Sequence, residues 1–277
     1  GKDSLSMRTQ WSDNGQTKQV TSPVSLIISA FAAVTDVRGT LTPQLSQDDD
    51  TSLILIDLGQ GQNRMGASVL GQVLNQAGDT VPDLDDPQRL RALVDAVNQL
   101  RREGRILAYH DRSDGGVLAA VCEMAFAGHV GVALNVDMLV TEGDGISDSR
   151  MDAGDSKNWA SQISARRDEL TLKALFSEEL GVVLQVPTAS RNDVMQVLRA
   201  HGLSRHSHFI GKTRPMQSPI DKGKGELSIW RDAKEIFSAP LSDLHQVWDS
   251  VSWKICQQRD NPACADAEHA SKGQPDD

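Results

Sequence analysis

After residue 50 the chain alternates short apolar runs with longer stretches of helical spacing, and few architectures accept that rhythm. LILIDLG (53–59), RILAYH (105–110), VGVALNV (130–136), GVVLQV (181–186) and HSHFIGKT (206–213) have strand length and suit burial in a sheet. Between them MGASVLGQVLNQAG, DPQRLRALVDAVNQLRREG, VLAAVCEMAFAGH and RNDVMQVLRAHG space their apolar residues as helices do. In the second of these, acids precede Pro87 and basic residues gather near the end, which matches the helix dipole. Strands alternating with helices predict an α/β sandwich. ELSIWRD (226–232) reads as an edge strand, and KEIFSAPLSDLHQVWDSVSWKICQQRDNP reads mostly as helix, with Trp248 and Ile255 on an apolar stripe.

The first 50 residues have a different texture. Residues 3–11 and 23–34 read as two strands joined by the polar loop SDNGQTKQ, a hairpin, and residues 35–47 as a connector. Residues 141–169 are rich in Gly, Asp and Ser, hold no sustained period, and read as a mobile surface insertion. The polar residues 270–277 read as a disordered tail. The first residue is Gly rather than Met and a strand-like run begins at once, which reads as part of a longer chain.

Charge narrows the function classes. The 277 residues carry a net charge of −10 with no basic stripe, which argues against nucleic acid as the main partner. A nucleotide needs only a local positive field and a metal, so it stays open. No apolar run is long enough to span a bilayer, and no signal-peptide core opens the chain, so no membrane partner is expected. Three cysteines without a CxxC suit a reducing, cytoplasmic setting.

The stretch AYHDRSDGG (108–116) stacks acids, Arg, His and Ser where a strand hands over to a helix. Asp111 at a strand end offers a hard carboxylate ligand for Mg²⁺, which shares oxygen donors with phosphates. Ser113 can donate to a phosphate oxygen, and Arg112 can clamp phosphate or balance the acids. Gly115 and Gly116 let backbone N–H groups approach an anion at the helix N-terminus. A plainer reading competes: Ser113 or Asp114 is only an N-cap, and Asp111 with Arg112 a surface ion pair.

Other motifs are weaker. Gly1-Lys2-Asp3-Ser4 fails as a phosphate loop, because Asp follows Lys and a strand follows instead of a helix. Lys2 can still meet phosphate as a point charge, or stay solvated. Gly59-Gln60-Gly61 lacks the third glycine of a dinucleotide fingerprint, since Arg64 stands there. Glu178 and Glu179 of FSEELG offer acid/base groups or metal ligands, though such a pair is more commonly solvated. His201, His206 and His208 lack the companions of a zinc site. None of Cys122, Cys256 and Cys264 has a nucleophile's context.

Taken in order, GKDSLSM, TSPVSLIISAFAAVTDVRGTLTPQL, LILIDLGQG with GASVLGQV, HDRSDGG, EMAFAGH, FSEELG and RDNPACADAEH closely resemble phosphoribosylformylglycinamidine synthase of the large, single-chain type. The likeness runs through residues 1–269 and departs at 141–169, around 215–225 and in the last residues. It implies an ATP-dependent ligase of purine synthesis, converting formylglycinamide ribonucleotide, glutamine and ATP to formylglycinamidine ribonucleotide, glutamate, ADP and phosphate. It also implies the aminoimidazole-ribonucleotide-synthetase-like architecture: residues 1–46 end a β-rich N-domain, and residues 47–269 form an α/β sandwich C-domain. Carried over by position, Asp111 is the Mg²⁺ ligand and Ser113 the nucleotide contact for ATP or ADP. Further synthetase domains and a glutaminase domain of the parent chain would be the partners. No catalytic residue is assigned, and a structural nucleotide site and a stand-alone synthetase relative stay open as alternatives.

Overall fold

The run TSLILID is buried at every position, and the side chains of its four large apolar residues divide between two cores. Leu53 and Leu55 enter one cluster, Ile54 and Ile56 the other, as the two-residue period of a strand requires. A strand buried on both faces must be sandwiched between helical layers. Each of those side chains contributes about 1.5–3 kcal/mol relative to exposure.

The protein is represented by a computed structural model, which describes residues 2–4, 7–22, 25–48, 50–78, 80–140, 156–216, 218 and 223–274. The chain divides into two compact units, Gly1–Thr40 and Leu41–Asp277.

In the first unit, β1 (Lys2–Ser4) pairs antiparallel with β4 (Ser25–Ile27), and β2 (Met7–Asp13) pairs antiparallel with β3 (Gln16–Ser22). Most of SDNGQTKQ, read as the loop of the hairpin, is therefore strand. It contains a tight turn, with Asn14 and Gly15 at φ 51° and 76°, the left-handed pair that matches the twist of a two-residue hairpin.

The second unit holds a mixed seven-stranded sheet. Its strands are β5 (Thr51–Asp57), β6 (Ala108–Arg112), β7 (Gly131–Asn135), β8 (Gly181–Pro187), β9 (Ser207–Arg214), β10 (Glu226–Arg231) and β11 (Lys234–Pro240). The order is β11-β10-β7-β9-β5-β8-β6, and only β10 and β7 run parallel. On one face lie α2 (Pro87–Arg102) and α5 (Arg191–Ala200), which bury Leu93, Ala96, Leu100, Val194 and Leu198. On the other lie α3 (Gly116–Gly128), the end of α4 (Ser156–Phe176) and the start of α6 (Leu241–Arg259). This is the α/β sandwich the alternation predicts. Asp86 caps α2 by accepting from the Gln88 amide at 3.0 Å, with Pro87 opening the helix.

Several boundaries differ from the sequence reading, each for a local reason. MGASVLGQVLNQAG shrinks to α1 (Val69–Val73), because Gly66 and Ala67 fold back on Thr80 and Ala77 through Gly66 N to Thr80 O (2.6 Å) and Ala67 N to Ala77 O (2.7 Å). Residues 156–169 of the expected insertion are the first part of α4, while 141–155 lie outside the described residues. KEIFSAP is a strand, β11, so ELSIWRD is an inner strand and β11 the edge. The tail is shorter than expected, since α7 (Pro262–Lys272) continues through residues 270–272. Leu41–Gln47 belongs with the sandwich: Leu45 is fully buried, the Tyr109 amide donates to the Thr42 carbonyl at 2.9 Å, and Gln47 Nε2 donates to the Gly128 carbonyl at 2.8 Å.

Candidate functional site

The HDRSDGG turn leaves the end of β6, an edge strand, and enters α3. Asp111 and Ser113 are both exposed there. Tyr109 and Asp111, two apart on a strand, share one face, and the Tyr109 hydroxyl donates to Asp111 Oδ1 at 2.5 Å. Burial, and then the Asp111 carboxylate, push the Tyr109 phenol above its ordinary range, so it stays a donor. A cavity of about 440 Å³ opens beside this pair, walled by Leu90, Val94 and Val97 of α2 and by Leu180, with Asn98 and Asp111 among its polar groups.

The neighbours of Asp111 depart from both sequence readings. Arg112 does not pair with Asp111 but is drawn inward to other partners. It is 4% exposed, with Nη2 2.5 Å from Asp57 Oδ1 and Nε donating to the Glu179 carbonyl at 2.5 Å. Nor is Ser113 or Asp114 the helix cap. The N-cap of α3 is Gly115 at φ 80°, with no side-chain cap bond. The Gly115 amide donates to Glu178 Oε1 at 3.0 Å and the Gly116 amide to the Ser113 carbonyl at 2.9 Å, so both expected phosphate donors already have a partner, one outside the turn and one within it. Gly116 is required for another reason: at φ 72°, a Cβ there would lie 2.6 Å from the Leu175 carbonyl oxygen. Lys2 lies on β1, and its side chain is outside the described residues.

The FSEELG acids are not a solvated pair. Glu178 Oε1 also accepts from the Val69 amide at 2.8 Å, tying the start of α1 to the α3 turn. Glu179 is fully buried and takes Arg64 in a fork, Oε1 from Nε and Oε2 from Nη2, both at 2.8 Å. Arg64 reaches on to Asp85, 3.0 Å away. Arg64, which breaks the dinucleotide fingerprint, is thus the hub of the loop after β5. The carboxylate of Asp57 braces that loop, accepting from the Gly59 amide at 3.0 Å and the Gly61 amide at 2.7 Å. An acid directly after the apolar run LILI was the sequence signal for this pairing, because such a charge needs a buried partner.

Two of the three histidines hydrogen-bond within the fold. His206 Nδ1 lies 2.9 Å from the Asp57 carbonyl oxygen, and His201 Nε2 lies 2.9 Å from Gln99 Oε1. Among the described residues no group of three or more His, Cys, Asp or Glu is placed to hold a metal ion. The donor chemistry at Asp111 still fits a hard cation as a single ligand, the arrangement Mg²⁺ accepts when phosphate and water supply the remaining oxygens. Among the described residues no helix is long and apolar enough to cross a membrane.

Comparison with known proteins now bears on this fold. Residues 1–33 match the FGAR-AT PurM_N-like domain. Among solved structures, Thermotoga maritima PurL complexed with FGAR aligns with a TM-score of 0.51 and 15% identity, covering 75% of this chain and 30% of that one. PurL of the same organism complexed with ATP aligns at 0.48 and 13%, over 81% and 28%. Escherichia coli HypE, a hydrogenase maturation protein, aligns at 0.41 and 19%, over 71% and 51%. At 15% identity the likeness to PurL complexed with FGAR is one of fold alone, and the chain spans less than a third of the PurL chains. The family of AIR synthase related proteins, C-terminal domain, matches residues 52–220, which include β5 from its second residue, β6 through β9 and the HDRSDGG turn. The chain belongs to that AIR synthase related family.

Proposed function

We propose that this chain is the synthetase-like part of an ATP-dependent carbon–nitrogen ligase of purine synthesis, a phosphoribosylformylglycinamidine synthase acting in the cytoplasm. The observation that carries this reading is the succession of two family matches along one chain, FGAR-AT PurM_N-like over 1–33 and AIR synthase related C-terminal over 52–220. The same succession disfavours a stand-alone aminoimidazole ribonucleotide synthetase. On this reading the residues before Leu41 end a β-rich synthetase N-domain and the remainder is its C-domain. The rest of the synthetase and a glutaminase domain lie elsewhere in the parent protein.

Asp111 would be the Mg²⁺ ligand and Ser113 the nucleotide contact. The apolar groove ending at Asp111 suits a nucleotide whose base enters the groove and whose phosphates lie at the turn. Mg²⁺, when bound, neutralises charge on the phosphates. In the overall reaction ATP phosphorylates the amide oxygen of formylglycinamide ribonucleotide, and ammonia drawn from glutamine displaces the phosphate. The engaged amides of Gly115 and Gly116 favour a structural over a catalytic nucleotide site, because they leave few donors for a transferring phosphoryl group.

Asp111→Asn and Ser113→Ala in the parent enzyme test this, with co-purifying nucleotide, melting temperature and ammonia-dependent synthesis measured on each. A structural site gives nucleotide loss and a lower melting temperature with turnover retained by the folded fraction. A catalytic site gives a kcat lowered by orders of magnitude with the fold intact. Ser113→Ala should do less, since one neutral hydrogen bond is worth about 1 kcal/mol net. An Asp111→Asn enzyme normal in all three respects would remove Asp111 from the site.

A further inference from the structure

The backbone of Asp111 is gripped from the face of β6 opposite its carboxylate. His110 Nδ1 lies 2.6 Å from the Asp111 carbonyl oxygen, and its Nε2 lies 2.9 Å from Glu123 Oε2. The other oxygen of Glu123 accepts from the Trp248 indole N–H at 3.0 Å. Trp248 is held in turn by its ring, tilted against Phe126 at 6.1 Å and His245 at 5.8 Å between centroids. The contacts form a chain from α6, through α3, to the residue that the preceding reading makes the Mg²⁺ ligand.

We propose that Glu123 and Trp248 are positioning residues for the metal–nucleotide site: they hold the His110 ring, which fixes the Asp111 carbonyl and so aims the Asp111 carboxylate. The geometry explains why one carboxylate can serve. Its side chain is fixed by the Tyr109 hydroxyl on one face and its main chain by His110 on the other, so little freedom is lost when a cation binds. Neither Glu123 on α3 nor Trp248 on α6 lines the groove beside Asp111. They act on the ligand only through the ring between them. This inference rests on Asp111 meeting Mg²⁺, and the test separates the two.

The measurement is the dissociation constant of ADP from the intact protein with Mg²⁺ and without metal; the ratio gives the gain in affinity from Mg²⁺. Glu123→Ala should shrink that gain by about tenfold or more, the usual effect of losing a partner that orients a metal ligand. Trp248→Phe removes only the N–H and keeps the ring, and should shrink the gain by about two- to fivefold. Glu123→Gln should stay close to wild type, because its oxygen can accept from Trp248 while its NH2 meets His110 Nε2, leaving Nδ1–H on the Asp111 carbonyl. In nucleotide-free protein, Glu123→Ala should also speed hydrogen exchange across residues 108–116. Asp249→Asn, which loosens α6 from α7 away from this chain of contacts, should lower the melting temperature without altering the gain. If Glu123→Ala fails to fold, Trp248→Phe and Glu123→Gln decide. An unchanged gain in Trp248→Phe, a loss in Glu123→Gln, or an equal loss in Asp249→Asn overturns the positioning role while Asp111→Asn still abolishes the gain. An unchanged gain in Asp111→Asn overturns the site reading and this inference together.

Discussion

Asp57 and Arg112 meet across a glycine. Each stands opposite Gly181 on the two sides of β8, and the guanidinium crosses that position to place Nη2 2.5 Å from Asp57 Oδ1. A Cβ on Gly181 would lie 3.2 Å from Arg112 Nη2 and 2.5 Å from the Ile56 carbonyl oxygen, so the missing side chain is the passage. The pair joins the end of β5, the start of β8 and the HDRSDGG strand into one rigid corner.

Arg112→Met should therefore be costly, because it strands the Asp57 carboxylate in a buried site. Removing one partner of a buried ion pair costs about 3–5 kcal/mol. Asp57→Leu with Arg112→Met should recover only part of that, since Asp57 also accepts from the Gly59 and Gly61 amides. Urea unfolding of the three proteins checks this, and a single-variant loss under about 1 kcal/mol would contradict the pairing.

Gly116→Ala and Gly104→Ala make a matched comparison. Both glycines have φ near 70°, but a Cβ at 104 meets nothing within 4 Å, whereas one at 116 meets the end of α4 at 2.6 Å. Gly104→Ala should cost about 1–2 kcal/mol from backbone strain alone. Gly116→Ala should cost clearly more and shift α4. Equal melting temperatures for the two variants would show that the close approach is relieved cheaply.

The sandwich was legible because LILIDLG and GVVLQV can only be buried strands, and helical patterns stand between them. The missed elements share a cause: their pairing is with distant residues. KEIFSAP becomes a strand because β10 offers it an edge, and residues 156–169 become helix as a continuation of LTLKALF. At the site, Asp111 and Ser113 were readable as exposed polar residues at a strand end. The burial of Arg112 was not, because its partner lies 55 residues upstream. Tyr109 was within reach of the sequence, two places from Asp111 on one strand face. Glu123 was not, since only the three-dimensional return of α3 along β6 brings it to His110.

The clip between α6 and α7 should work only in a middle pH range. Burial raises the Asp249 carboxyl, but bonds and charge from His269 and Lys272 outweigh it and hold the group below its ordinary value. Burial likewise lowers the Lys272 ammonium, and its bonds to Glu268 and Asp249 outweigh that and raise it. A depressed carboxyl stabilises above its unfolded pKa and fails as pH falls through the folded one. A raised ammonium stabilises below its unfolded pKa and fails as pH rises through the folded one. Hydrogen exchange across residues 262–272 should therefore be slowest, after correction for intrinsic rates, between about pH 4 and pH 10. Uniform protection outside that range would contradict the clip.

Thiol chemistry should be absent at the centre of the fold. Burial, with Glu123 adding to it, pushes the Cys122 thiol up to about 12, so it stays protonated at neutral pH. Iodoacetamide at pH 8 should modify exposed Cys264 first and Cys122 last, and the chain should release no glutamate from glutamine. Rapid labelling of Cys122, or measurable glutaminase activity, would contradict this.

Gln185 is fully buried on β8 and binds residue 46 by its main chain: Oε1 accepts from the Ser46 amide at 2.7 Å, and Nε2 donates to the Ser46 carbonyl at 3.1 Å. Nε2 also donates to Thr51 Oγ1 at 3.0 Å. A side chain here imitates a strand partner, and what it reads is backbone, which every residue except proline presents alike. The two positions should therefore differ in their tolerance of substitution. Residue 46 gives this contact only its main chain, its hydroxyl bonding Asp48 instead, while replacing Gln185 takes the partner from both the Ser46 amide and the Ser46 carbonyl. Leu45 stays tied by burial and Gln47 by the Gly128 carbonyl, so within this segment it is the side chain of residue 46 that descendants of the sequence can rewrite while the Gln185 amide is kept.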